Sequence, residues 1–481
     1  MHTKETLSRR TALASLGAAG VSVAALSSPA SASAVAPASA AGDARQQLAD
    51  RVRQTPLIDT HEHLVEERER LRGPVPPRLP CDDWALLFSH YLNSDFITAG
   101  MPRAELARFL SPDLDPVAKW RLIAPYWPAV RHTGYAQAVR LAIAELYRVD
   151  ELSEKTIPAV QAGYEKTRRA GFYRAILRDR SRIESCQINR LGEPFVESDH
   201  PEFLMYDLGF VGMFAGPNLK QYAPPTGIDV KSLADWHRVI DWWFDRYGKY
   251  AVAAKSQNAY SRDIDYARVP AEQAEPLFRR ALQQDPLNRD ERKRLEDHLF
   301  WYAVDRATAH QLPVKLHTGY YAGDNSMPLS RLRLNVGSAA ELCRQAPDTK
   351  FVFMHIAYPY YEELLALAKQ WSNAHVDLCW AWIINPVATK DYLKKHIVTA
   401  PINKLLSFGG DYIPVEPVLG HAELARRGIT QALAELVAEG WLKLADALDL
   451  VDPILHGNAR HLFRLAAKTE TLRRAEWIKR F

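Results

Sequence analysis

The 481-residue chain carries 61 Lys and Arg against 57 Asp and Glu, a formal charge of +4, and is 47% hydrophobic. So small a basic excess, part of it at the N-terminus, gives no argument for nucleic acid as a partner. The composition is that of a folded domain rather than a disordered or fibrous chain, and its length accommodates one large barrel with insertions or two domains. Cys81, Cys186, Cys343 and Cys379 are widely spaced with no Cys-x-x-Cys. Buried free thiols are therefore expected, a disulfide remaining open if the protein is exported.

The first segment, residues 1–34, has the layout of a twin-arginine signal peptide. Arg9-Arg10 precede an apolar run from Ala12 to Leu26, and Ala-x-Ala cleavage candidates end at Ala32 and Ala34. That run is too short and Ala-rich to serve well as a membrane span. The expectation is thus an exported protein with no stable span after cleavage. Residues 35–50, rich in Ala, Pro and Ser as far as Gly42, read as a disordered linker. The folded domain is expected over 51–481.

Within that domain, short apolar runs alternate with helical patterns, as in parallel α/β folds. Candidate strands are TPLIDTH, FYRAILR from Phe172, DLGFVGM from Asp207, KYAVAAKS from Lys249, LPVKLHT from Leu312, KFVFMH from Lys350, AHVDLCW from Ala374 and KLLSFGGD from Lys404. Eight such units predict an α/β fold of the (β/α)8 TIM-like barrel type, whose active site lies at the strand C-terminal ends. The first strand ends in His61-x-His63, and strand residues two apart share a face, so both imidazoles can reach one metal ion. Further strands end in Lys255, His317, His355 and Asp411. The stretch 64–170 is far longer than an ordinary βα connection and reads as a helical cap. In it Tyr135, Val139, Ala142, Ile143 and Leu146 share one helical face. Trp84, Tyr91, Trp120, Tyr126 and Trp127 are either pocket lining or cap core. A second helical insertion is expected over 267–300, and the run ITQALAELVAEGWLKLADALDLV is expected to pack outside the barrel or beneath it.

The ordered motifs HEH at 61–63, HTGYYAGDN from His317, FMHIAYPYYEELLALAKQWSNAHVDL from Phe353, FGGDYIPVEP from Phe408 and HGNARHLFRL from His456 resemble the amidohydrolase superfamily. Within it the chain is most similar to the amidohydrolase-2 group, especially the barrel domain found joined to glutamine-synthetase-like domains. AAKSQNAYSR stands where those domains carry a lysine-containing segment after the fourth strand. Two features depart from the pattern. GGD replaces a more usual Thr-Asp or Ser-Asp, and Asn335-Val336 replaces Asn-Pro. The residues here include no glutamine-synthetase-like stretch, which weakens the transfer of a glutamyl-related substrate.

The resemblance implies that His61, His63, His317 and Asp411 bind a divalent metal, zinc before manganese or iron, and that Asp411 also shuttles protons. It gives His355 a catalytic role, polarising substrate or steering water, or ligating a second ion. Lys255 either bridges two metals when carbamylated or, as an unmodified cation, binds a substrate carboxylate; the latter, with one ion, is favoured. Arg262, Arg331 and Arg333 are candidate contacts to an anionic substrate, each weighed against a surface salt bridge.

The implied activity is hydrolysis of an amide or related C–N bond in a small substrate, one that can bear a carboxylate. Alternatives are decarboxylation of a small carboxylic acid, uronate isomerisation, or an exported barrel that binds metal or ligand without turnover. Neither the substrate nor the oligomeric state follows from the residues.

Overall fold

The computed structural model describes residues 38–73, 78–210, 219–323 and 326–481. Two all-parallel sheets form its centre. Strand β1 (Leu57–Glu62) pairs with β2 (Ile183–Ile188), and β2 with β3 (Leu204–Tyr206). The second sheet runs β4 (Leu208–Gly209), β5 (Ala254–Ser256), β6 (Val314–Leu316), β7 (Phe351–Phe353), β8 (Ala374–Asp377) and β9 (Leu405–Leu406). Strands β3 and β4 are one chain path interrupted at Asp207. There the backbone changes sheet: Asp207 N–H donates to Ile188 O at 2.8 Å, and Leu208 N–H to Ala253 O at 2.9 Å. At the other margin, Thr60 N–H donates to Phe408 O and Asp411 N–H to His61 O, both at 2.9 Å. Eight parallel strand paths therefore follow one another in chain order, with the last hydrogen-bonded back to the first. Side chains of β1 and of β3 to β9 are buried throughout, as expected of parallel strands covered on both faces.

Two expectations need correction. FYRAILR from Phe172 is not a strand: Arg174–Arg180 is a π-helical turn, and the second strand is Ile183–Ile188. Phe172, Tyr173, Ile176 and Leu177 are the buried residues there, a spacing of one and four that suits a helix face. The strand itself, IESCQI, mixes polar and apolar residues and lacks the expected apolar run. The linker also ends earlier than residue 50, because Ala38–Gln54 is a helix that buries Ala44, Leu48 and Val52. Residues 1–34, where a signal peptide is expected, lie outside the described residues. No described helix is long and apolar enough to cross a membrane.

The stretch between β1 and β2 is helical, as its periodicity predicts, with helices including Leu92–Thr98, Pro116–Ile123, Gly134–Tyr147 and Ile157–Thr167. Trp84, Phe88, Phe109, Trp120 and Trp127 pack ring to ring at 5.3–6.5 Å, forming the insertion's own core. Helices Ala271–Leu282 and Arg289–Ala309 form the second insertion. The long helix Glu416–Ala438 packs outside the strands, between Gly134–Tyr147, Ala38–Gln54 and Pro386–Thr399. Glycine permits its closest approach: a Cβ on Gly420 would lie 1.9 Å from Ala138 O. All four cysteines are buried and free.

Because that contact is with backbone, Gly420→Ala is expected to lower the unfolding free energy by about 1–3 kcal/mol through overpacking. Denaturant titration of the variant measures the change.

Candidate active site

The residue order of β1 places two imidazoles on one side of its C-terminal end. The chain's last strand brings a carboxylate to meet them. His61 Nε2 lies 3.1 Å and His63 Nε2 3.2 Å from the same atom, Asp411 Oδ1. His61 is fully buried and His63 and Asp411 nearly so. Two backbone bonds fix the pairing, Asp411 N–H to His61 O and His63 N–H to Tyr412 O, both 2.9 Å. Asp411 holds φ at 62°, a left-handed conformation that is costly for a side-chain-bearing residue and characteristic of functional sites.

These donors fit a metal ion. The Nδ1 of His63 is 2.6 Å from the carbonyl of Asn189, which can only accept, so in the neutral ring Nε2 carries the lone pair. Both ring nitrogens of His61 are buried without a hydrogen-bond partner. Burial, reinforced by the charge of Lys255, keeps His61 well below the ordinary imidazole range and hence neutral. Burial works against ionisation of Asp411, but the contacts from His61 and His63 hold its carboxyl well below the usual range. With Nε2 unprotonated on both rings, the electron pairs of His61, His63 and Asp411 would converge on one point, as a divalent cation requires.

A second group adjoins the first. His355, Cys379 and Asp411 also place their ligand atoms within 4.8 Å of one another. His317 stands beside His355 rather than in the His61 trio: His317 Nδ1 and His355 Nε2 are 3.0 Å apart. Their other nitrogens face backbone carbonyls, of Tyr320 at 2.8 Å and Cys379 at 3.0 Å. In the neutral rings both remaining lone pairs point at each other. Burial, with the charge of Lys255 adding to it, lowers His355 to about 4, so a proton is poorly held there and a cation nearby would relieve the contact. Lys255 is fully buried and its Nζ has no hydrogen-bond partner. Burial lowers it to about 8.

An aromatic wall closes this side. The Trp380 ring meets His355 edge-on at 5.2 Å and stacks with Tyr91 at 4.7 Å and Tyr135 at 6.4 Å. Tyr91 reaches the site itself, its hydroxyl donating to Asp411 O. Of the insertion's aromatics, then, Tyr91 and Tyr135 shape the site, whereas Trp84, Trp120 and Trp127 are insertion core.

The arginines are placed otherwise than as substrate clamps. Arg262 bonds to Glu296 at 3.0 Å, Asp297 at 2.5 Å and Asp265 at 3.2 Å, so three carboxylates already occupy its guanidinium. Arg331 donates to Tyr260 O at 2.9 Å and Ser261 O at 3.2 Å, bracing the turn after β5. Arg333 is exposed, with its guanidinium 5.2 Å from the Tyr360 ring centre.

Several site residues escaped sequence reasoning: Asn189, Gln257, Trp380, Cys379 and the pair Asp59 and Glu62. Gln257 Nε2 lies 3.2 Å from His63 Nε2. Only its position two residues beyond Lys255 could have flagged it. Asp59 and Glu62 explain the GGD departure. Asp59 Oδ1 accepts from His61 N–H at 3.2 Å and Gly410 N–H at 3.3 Å, and Glu62 Oε2 accepts from Tyr412 N–H at 2.6 Å. A Cβ on Gly410 would lie 1.9 Å from Glu62 Oε1. The Glu62 carboxyl fills the space a Ser or Thr side chain would need.

Residues 267–465, which include His317, His355 and Asp411, match the family model Amidohydro_2, described as Amidohydrolase. This part of the chain is similar to the amidohydrolase-2 family. Protein fluG of Emericella nidulans is 27% identical over 226 residues, 44% of this chain and 26% of fluG. The chain therefore spans about a quarter of that relative's length. Among solved structures, the uronate isomerase of Thermotoga maritima aligns with a TM-score of 0.71 at 14% identity, over 88% of this chain and 97% of that one. The glucuronate isomerase of Caulobacter crescentus aligns at 0.72 and 16% identity, over 89% and 95% respectively. At these identities the likeness is one of fold, and it is the TIM-barrel amidohydrolase fold. His61-x-His63 lies outside the family match; the tertiary structure unites it with Asp411.

Two outcomes are expected. Gly410→Ala displaces Glu62 and the Asp411 backbone, so metal per chain by elemental analysis falls as it does in His61→Ala. Arg262→Ala leaves metal content intact and lowers the melting temperature, since removing one member of a largely buried ion network costs about 3–5 kcal/mol.

Proposed function

We propose that this protein is an exported metal-dependent hydrolase that cleaves an amide or related C–N bond in a small carboxylate-bearing substrate. The observation that carries the reading is the convergence of His61 Nε2 and His63 Nε2 on Asp411 Oδ1 at 3.1 and 3.2 Å. These three residues would hold the ion, with His317 and His355 beside it. Zinc suits imidazole and carboxylate donors, manganese and iron being the alternatives. A bound divalent ion supplies Lewis acidity and a water whose pKa falls toward 7.

The chain's own groups supply the rest. Asp411, held ionised, takes the proton released by the attacking water and returns it to the leaving amine. His355, neutral at physiological pH, polarises the scissile carbonyl or orients the water. Lys255, lowered only to about 8, is still mostly protonated at neutral pH and offers an unpartnered ammonium to a substrate carboxylate. Trp380, Tyr91 and Tyr135 exclude water and strengthen each of these electrostatic contacts. The twin-arginine leader fits a protein that folds around its ion before export.

A second reading, uronate isomerisation, is favoured by one observation: the fold likeness to two uronate isomerases extends over 97% and 95% of those chains. In that reaction Asp411 or His355 would move a proton between adjacent carbons of the substrate.

Asp411→Asn is expected to reduce turnover by about 10²–10⁴-fold, the usual contribution of a general acid–base group. A pure binding protein would keep its ligand affinity in the same variant. Amine release from a panel of N-acyl amino acids supports the hydrolase. Ketose formation from uronates with no amine released would replace it with the isomerase, and carbon dioxide from aromatic or aliphatic acids would replace it with a decarboxylase. One ion per chain by elemental analysis supports an unmodified Lys255; two ions indicate a carbamylated, bridging one.

A further inference from the structure

At the end of the sheet opposite the metal ligands lies a cavity of about 660 Å³ that none of the chemistry above uses. Its walls are the residues that immediately precede four successive strands. Leu312 and Pro313 lead into β6, Asp348 to Lys350 into β7, Ser372 into β8, and Asn403 and Lys404 into β9. Asn458, His461, Leu462 and Arg464 add to the lining.

The lining is cationic. Lys350, Lys404 and Arg464 face one carboxylate, Asp348, and two imidazoles, His375 and His461, stand with them. The bonds of Lys404 and Arg464 go to neutral acceptors, the Ser372 carbonyl and the Gln311 side chain, so neither charge is cancelled. His375 is only 6% exposed and its Nδ1 has no hydrogen-bond partner. Burial first, and then the charges of Lys404 and Lys350, push His375 down to about 3. The cavity already holds more positive charge than its walls neutralise. Its size is that of a site for a small metabolite.

We propose that this cavity is a second binding site, for a small anion carrying at least two negative charges on phosphate or carboxylate groups. Such a ligand would sit among Lys350, Lys404 and Arg464. It would also tie together the entries to β6, β7, β8 and β9, so binding is expected to raise the melting temperature.

The test is calorimetric titration of the metal-loaded full-length protein with pyrophosphate, with citrate, and with uncharged sucrose. One saturable site per chain is expected for at least one of the two anions, weakening with added salt, and none for sucrose. Binding by pyrophosphate alone identifies phosphate as the group read, and by citrate alone identifies carboxylate. Binding by both means that charge suffices. The double variant Lys350→Ala/Arg464→Ala removes two exposed side chains and should weaken binding by about tenfold or more, leaving turnover unchanged. Asp348→Asn should strengthen it. Both anions also chelate metals, so the titration is repeated on His61→Ala, in which binding should persist. Loss of binding in His61→Ala, unchanged affinity in the double variant, or no saturable binding by either anion would each overturn the proposal.

Discussion

Everything at the candidate active site depends on the backbone bonds that join the chain's first strand to its last. Asp411 N–H donates to His61 O and His63 N–H to Tyr412 O. These bonds set residues some 350 positions apart side by side, and they set their register. A shift of one residue on either strand would turn Asp411 away from both imidazoles, because successive strand residues face opposite sides. The buried Asp59 and Glu62 carboxyls lock that register from behind, accepting from backbone N–H groups on both partners. Gly410 is where the two sides come closest. There a methyl group would displace the Glu62 carboxyl.

The electrostatics follow from that geometry. Crowding lone pairs into a buried space is unfavourable unless a cation joins them, and the fold does so twice in adjacent places, at His61, His63 and Asp411 and again at His317 and His355. Among the described residues Lys255 is the one buried cation nearby with no hydrogen-bond partner. It depresses the basicity of His61, His317 and His355 alike, behind the larger effect of burial. Left-handed backbone at Asp411, His355, Ile356 and Ala357 concentrates strain at the same strand ends. The surrounding structure over-determines those conformations, a pattern typical of sites where orientation matters more than local stability.

Strain and charge at one end have a counterpart at the other. Below the ligands, Lys315 and Asp207 form a fully buried pair at 2.9 Å, with Lys315 also donating to Thr60 O at 2.7 Å. This pair spans the two sheets at the break between β3 and β4 and gives the strand ends a rigid floor. Lower still lies the cationic cavity between the strand entries, so the two ends of one barrel present chemistry of opposite demand: electron pairs seeking a cation above, uncancelled cations below.

Much of this was legible in the residues. His-x-His at the end of an apolar strand, further His, Lys and Asp at later strand ends, and helical periodicity through the first long connection are local patterns, governed by strand alternation and helix pitch. They sufficed for the fold class and for naming His61, His63, His317, His355, Lys255 and Asp411. The second strand was missed because IESCQI lacks the expected apolar run, while the nearby Phe172 segment is apolar with helical spacing. The arginines stayed open between substrate contact and salt bridge for a different reason: whether a guanidinium meets substrate or Glu296, Asp297 and Asp265 depends on where a distant helix lies. The sequence by itself determined which donor types exist and which strands end in them, since those depend on neighbours along the chain. Tertiary structure alone decided that His63 turns Nε2 toward Asp411, that His317 faces His355, that Gly410 must yield to Glu62, and that Lys350, Lys404 and Arg464 share one cavity. Each of those depends on distances between segments far apart in the chain.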